Sequence, residues 1–313
     1  MAIRTATLTF YRRRVHRSLA DGSDRRVRYG AAIRTCYANA ISQVKTNETY
    51  EGIVMSEPDP AKFNRTAWDN IARSGRWFDP VDSTTIDSAR TGDWSLRLTA
   101  TKPIPKTWLG DVTNKRILCL AGGGGHQGPV LAAAGACVTV LDFSEEQLAI
   151  DRRVADEHGL ELETVAGDMR DLSIFDDGRF DLVVNPCSVN FCPDVRPVWI
   201  EAARVLRCGG ELLAGLIQPV NYLFDARRLA AGDFVVRHRI PYSDVDLPQD
   251  ERDRTIGTQR PIEFGHTLTD LIAGQLAAGL VLTDLFEDRW GGKDLLSDFI
   301  PIFLATRASK PVH

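Results

Sequence analysis

ILCLAGGGGHQGPVLAAAGACVTVLDF, residues 117–143, decides how the rest of the chain is read. A short apolar run leads into five small residues, Ala121 to Gly125, then into an alanine-rich stretch, then into a β-branched run that stops at Asp142. That order predicts a strand, a glycine turn, a helix and a second strand closed by a carboxylate. Such a unit brings bare backbone N–H groups and a helix N-terminus up to a ligand, and the closing acid can take a pair of ribose hydroxyls. A nucleoside-containing cofactor is expected. Gly123-x-Gly125-x-x-Gly128, with Asp142 about 20 residues further on, also matches the dinucleotide fingerprint, so an NAD(P)-dependent oxidoreductase is one reading of this stretch alone.

Downstream the alternation continues. Helix signals follow Ser144, whose side chain can cap, with Glu145, Glu146 and Gln147 in the first turn. Strands are predicted at 162–166, 180–185 and 211–217, with a helix at 195–206 stopping at Cys208-Gly209-Gly210. The run FDLVVN at 180–185 is almost continuously apolar, as expected of a strand buried on both faces. A helix at 268–278 and strands at 280–287 and 298–306 complete the pattern. Strands alternating with helices predict an α/β, Rossmann-like, doubly wound sheet. Between them, 219–265 is rich in Pro, Asp and Arg and too long for an ordinary connection, which suggests a functional insertion.

Upstream the material changes. Residues 1–54 carry nine Arg and one Lys against four acids, whereas the remainder is acidic within a chain of net charge −4. This stretch is read as a poorly ordered basic extension, or a start placed upstream of Met55; a transit peptide or a nucleic-acid-binding arm are the other readings. A chain begun at Met55 is expected to fold and bind as the full one does. Residues 55–110 combine an amphipathic helix at 59–73, capped by Asp59 with Pro60 first, and an aromatic segment with Trp77, Phe78, Trp94 and Trp108, suited to packing over the core or closing as a lid. Hydrophobic residues make up 43% of the 313, enough for a sizeable core, and no apolar run approaches the roughly 18–20 residues of a membrane span. The six cysteines form no CxxC pair, and no histidine lies near the close pair Cys187 and Cys192. Reduced thiols in a cytoplasmic protein without a metal site are therefore expected.

Asp168, ending the third strand in Gly-Asp-Met, is a second acid that the dinucleotide fingerprint does not require. With it, the segments LCLAGGGG, VLDFSEEQL, AGDMRDL, FDLVVNPCSV, RVLRCGGELL, FGHTLTDLIAGQLAAG and IPIFLATRA resemble, in order and spacing, the class I S-adenosylmethionine-dependent methyltransferases that act on small molecules. The resemblance runs from about Phe63 to Ala308. It implies a mostly parallel seven-stranded sheet with the last strand antiparallel, a methyltransferase domain at 111–308 with the insertion on its substrate side, and a short tail at 309–313.

The resemblance also implies roles. Ala121, Gly122, Gly123 and Gly125 would pass beneath the methionine and ribose of S-adenosylmethionine. Asp142 would bind the ribose, Phe143 would lie against the adenine, and Asp168 and Met169 would hold its edge. Asn185, Pro186 and Cys187 would face the methyl group. Trp68, Trp77, Ser188 and Asn190 are the acceptor-side candidates, and the acceptor is expected to be a small molecule rather than a nucleic acid or a membrane component. No catalytic base is implied; His238 and His266 are weak candidates and His126 a helix-start residue. Two positions depart from the family: Cys119 and Ala121 stand where an acid and a glycine are common. Plainer readings stand beside these, with Asp142 and Asp168 as helix caps, Asn185 as a satisfied polar group, and the whole as a cofactor-binding protein without turnover.

Overall fold

Strands that are apolar on both faces, each followed by a helix, can bury themselves only in a parallel sheet covered on two sides. A computed structural model, describing residues 59–75, 79–257, 260–292 and 294–312, has this arrangement. The basic extension and Trp77 lie outside the described residues. Strands β1 (Arg116–Leu120), β2 (Cys137–Asp142), β3 (Leu162–Ala166), β4 (Phe180–Asn185) and β5 (Leu206–Ile217) are mutually parallel. The last two strands of the sheet are Val281–Asp288 and Phe303–Ser309. With the pair 242–243 and 264–265 numbered β6 and β7, these are β8 and β9, and the sheet order is β3-β2-β1-β4-β5-β9-β8. β9 runs antiparallel to both neighbours, inserted between β5 and β8. Dinucleotide-binding sheets continue in parallel at this edge.

Alternation along β1 shows how both faces fill. Ile117 and Cys119 enter one apolar cluster with Val138, Leu182 and Leu213, and Leu118 and Leu120 enter the other with Val183, Trp199 and Leu212. The helices are α1 (Pro60–Ser74), α2 (Ser83–Arg90), α3 (Lys106–Leu109), α4 (Gln127–Ala133), α5 (Glu145–His158) and α6 (Arg196–Val205), followed by the short α7 (Ala226–Ala230), α8 (Gln249–Thr255) and α9 (Gly274–Ala277). Asp59 caps α1 through Ala61 N–H, with Pro60 in the first turn, as expected.

Three boundaries differ from expectation. The chain passes from α6 directly into β5, because Gly209 N–H donates to Lys310 O and Lys310 N–H to Gly210 O, drawing 206–210 and the predicted tail into the sheet. β9 begins beyond the predicted start at 298, after a 3-10 turn at Leu296–Asp298. The predicted helix at 268–278 opens as a π turn, Thr269–Ala273. A Cβ on Gly274 would lie 2.7 Å from Trp199 Cδ1, and Trp199 Nε1–H donates to Asp270 O at 2.9 Å, so the tryptophan occupies the space and the carbonyl that a regular turn would use.

The chain divides into two compact units, one of residues 1–52 with 226–235 and one of 53–225 with 236–313. In the described part of the first, α7 is followed by a turn carrying an Arg228–Asp233 ion pair. The second contains the sheet and, within the insertion, the β6–β7 ribbon beside an apolar cluster of Ile256, Ile262 and Phe264.

Candidate active site

The turn leaving β1 is built by close approach. Ala121 N–H donates to Leu141 O, and the residue adopts φ +48° although it carries a side chain; Gly124 and Gly125 follow at +104° and +75°. A Cβ on Gly123 would lie 2.8 Å from Gln147 Cβ, and one on Gly125 2.9 Å from Pro80 Cβ, so the loop is wedged between α5 and the segment before α2. Gly128 lets α4 close on β2, since a Cβ there would meet Val140 at 2.6 Å.

Two buried carboxylates lie under this loop. Asp142 Oδ2 accepts Gly123 N–H at 3.1 Å and Oδ1 accepts Ser144 N–H at 2.9 Å, while the cap of α5 is Ser144 itself, accepting Gln147 N–H. Burial raises Asp142 to about 6 against the pull of these donors. The second carboxylate, Asp151, was not foreseen. It is fully buried on α5, accepts Gly124 N–H at 2.8 Å through Oδ2, has no partner for Oδ1 among the described residues, and is pushed up to about 7 by burial. Its signal was available: Gln147, Leu148, Asp151, Val154 and Ala155 form the inward stripe of α5, and an acid on such a stripe needs a donor.

At the end of β3, Asp168 accepts Arg170 N–H and a forked bond from the Arg170 guanidinium, with Nη2 at 2.6 Å. Burial would raise this carboxyl, but Arg170 outweighs it and holds it below the usual range. Neither Asp142 nor Asp168 is the capping residue of a helix. At the end of β4, Asn185 is buried and ties the strand ends together, Nδ2 donating to Leu120 O and Ser188 Oγ, both at 2.8 Å. It is not a fully satisfied polar group, since its Oδ1 has no partner among the described residues.

These elements surround a cavity of about 880 Å³. Of the candidates, Ala121, Gly122, Gly123, Asp142, Phe143, Asp168, Met169, Pro186, Cys187, Ser188 and Trp68 line it. Gly125, Asn185 and Asn190 lie behind the wall instead, Asn190 buried in the 3-10 turn Val189–Phe191. The far wall is apolar: Trp68 meets Phe191 edge-on at 5.1 Å, and Leu96, Leu98, Trp290 and Phe303 continue it. Burial raises the Cys187 thiol, keeping it neutral.

Leu96 and Leu98 belong to an extended strap that the sequence did not single out. Leu98 O accepts Cys187 N–H at 3.1 Å, and the fully packed Gly215 leaves no room beneath it, since a Cβ there would lie 2.1 Å from Leu98 O. Buried Asp288, at the end of β8, latches the strap by accepting from Thr99 Oγ1 (2.8 Å), Thr101 N–H (2.7 Å) and Oγ1 (2.5 Å), and Lys102 N–H (2.9 Å). The insertion takes a supporting place: no described residue of 236–257 or 260–265 lines the cavity. Asn64 of α1 joins them by donating to Phe191 O and Ile262 O and accepting Ile262 N–H. His266 pairs with Val189 O and His238 stacks edge-on with Tyr242, both off the cavity, whereas His126 lines it with its pKa lowered by burial. Among the described residues no cluster suits a metal ion, and no helix is long and apolar enough to cross a membrane.

The profile of the methyltransferase domain matches residues 118–214, which runs from β1 to the middle of β5. The uncharacterized methyltransferase YbaJ of Bacillus subtilis is 45% identical over 249 residues, 79% of this chain and 97% of its own. The ubiquinone biosynthesis O-methyltransferase of Bordetella pertussis is 25% identical over 198 residues, 61% of this chain and 73% of its own. In fold, the chain is similar to the Burkholderia thailandensis 1,6-didemethyltoxoflavin-N1-methyltransferase, solved with S-adenosylhomocysteine, at a TM-score of 0.52 and 15% identity over 84% of this chain and 94% of that one. The chain belongs to the class I S-adenosylmethionine-dependent methyltransferases, and S-adenosylmethionine is its cofactor. The dinucleotide reading of the glycine loop is set aside: the loop has the spacing, but the antiparallel β9 gives the sheet a different far edge.

Proposed function

We propose that the enzyme methylates a small, largely apolar molecule held between the cofactor and the wall formed by Trp68, Phe191, Trp290 and Phe303. One observation carries this reading. The cavity continues from the carboxylate-bearing ends of β2 and β3, past the end of β4, to an aromatic wall, and its volume lies within the range of about 300–1,000 Å³ usual for small-ligand sites. The ubiquinone biosynthesis O-methyltransferase among the relatives is named for a small-molecule pathway, in keeping with such an acceptor.

The residues fit the cofactor on their own chemistry. Gly122 and Gly123 present a floor without side chains, Asp142 retains acceptor capacity for the ribose hydroxyls, and Asp168, Met169 and Phe143 line the same cavity and would border the adenine. Pro186 and Cys187 also line the cavity and would face the methyl group. S-adenosylmethionine supplies a methyl group already activated by a sulfonium, so transfer is an in-line displacement. The protein's contribution is to align the acceptor and exclude water, which the latched strap and the aromatic wall provide. His126, whose pKa burial lowers, lines the cavity and would serve as a proton acceptor for an acceptor atom that must lose one.

Mass spectrometry of ligands co-purifying with the protein tests cofactor and acceptor together. Recovery of S-adenosylhomocysteine with an apolar small molecule supports the proposal. Turnover confined to nucleic-acid or polypeptide acceptors across a broad panel refutes it.

A further inference from the structure

The cofactor's methionine end carries an α-carboxylate and an α-ammonium, and nothing above supplies partners for them. The residue two before the loop is Cys119, buried with its thiol held neutral by burial, and the N–H groups of Gly123 and Gly124 already donate to Asp142 and Asp151. Cavity-lining charges are therefore the remaining source. Three are cationic: Arg170 is bound to Asp168, Arg153 lies 4.0 Å from Glu157, and Arg97 has no ion pair among the described residues. Three are anionic: Asp142 holds Gly123 and Ser144, Asp168 holds Arg170, and Asp79 has no ion pair among the described residues.

Arg97 and Asp79 come from segments pinned beside the glycine loop. Arg97 O accepts from Gln127 Nε2 at 3.2 Å, which fixes the strap against the start of α4. Val81 N–H donates to Gly125 O at 3.0 Å and Pro80 packs on Gly125, which fixes the residues after Asp79 on the loop itself. Asp79 also lies close enough to His126 to favour its charged form, against the burial that lowers it. We propose that Arg97 binds the α-carboxylate and Asp79 the α-ammonium of the cofactor, both residues lining the cavity. This rests on the cofactor placement proposed above. It relocates recognition of the amino-acid end from β1 to the chain preceding the domain core, with Arg97 offering a planar donor fork suited to a carboxylate.

The test compares S-adenosylhomocysteine with 5′-methylthioadenosine, which lacks the amino-acid end, by titration calorimetry on the full chain. Wild type is expected to bind S-adenosylhomocysteine more tightly. Arg97→Ala and Asp79→Asn should each weaken it about tenfold, a charge-assisted bond trimmed by solvent at an exposed rim, and leave 5′-methylthioadenosine unchanged. Arg97→Lys, which keeps the charge but not the donor fork, should lose less affinity than Arg97→Ala. Equal losses for both ligands, no loss for either variant, or equal wild-type affinity for the two ligands would overturn the assignment. A wild type that binds neither ligand overturns the cofactor placement itself, and this assignment with it.

Discussion

Asp142 and Asp151 accept neighbouring N–H groups from one loop while both are buried, and this gives stability and binding opposite pH dependences. Each carboxyl is raised from 3.8, to about 6 and about 7, so the folded state holds protons that the unfolded state has lost. Their contribution to stability is full below pH 3.8 and is lost as pH rises through 6 and 7. On the proposed cofactor placement binding runs the other way, because Asp142 would accept from ribose hydroxyls best when ionised. Affinity for S-adenosylhomocysteine is expected to rise with pH through about 6, measurable by calorimetry, and Asp142→Ala should remove most of it. Asp151→Asn keeps an acceptor for Gly124 N–H without the buried charge, and should raise stability at pH 8 by on the order of 1–2 kcal/mol and flatten the pH profile of Tm. Ala121 carries backbone strain: at φ +48°, replacement by glycine should relieve about 0.5–1 kcal/mol net of backbone entropy, read from denaturant unfolding.

Among the elements, the strap decides how the acceptor wall is held. An aromatic segment before a cofactor domain suggests a lid; within it, Thr99, Thr101 and Lys102 are latched by Asp288 and Leu98 is seated on Gly215. Burial would raise Asp288, but bonds from Thr101, Lys102 and Thr99 outweigh it and hold the carboxyl well below the usual range. Its stabilisation is therefore present above pH 3.8 and is lost only as pH falls toward the depressed folded value. Asp288→Ala should cost about 3 kcal/mol in denaturant unfolding and raise KM for the acceptor more than for S-adenosylmethionine. The strap was not legible because it has no periodicity, and its latch lies at the end of β8, far along the chain. Asn64 was hidden for the same reason: it reads as one polar residue of an amphipathic helix, and its buried bonds reach Phe191 and Ile262.

For the whole molecule, S-adenosylhomocysteine at 100 times its Kd should stabilise the fold by about 2.7 kcal/mol, a rise of roughly 5–10 °C in Tm by differential scanning fluorimetry, whereas NAD should leave Tm unchanged. The sequence by itself determined the alternation of strands and helices, the seven strands and the carboxylates at the ends of β2 and β3, because burial on two faces writes apolar runs and strand-end polarity into local order. The antiparallel last strand is expected from the family resemblance; only the tertiary structure decided that it is inserted between β5 and β8, that Asp151 rather than a residue on β1 anchors the loop, and that the described residues 236–257 and 260–265 of the insertion support the site without lining it. Those outcomes depend on pairings between residues distant in the chain, where the partner of a buried polar group is chosen by what packs beside it.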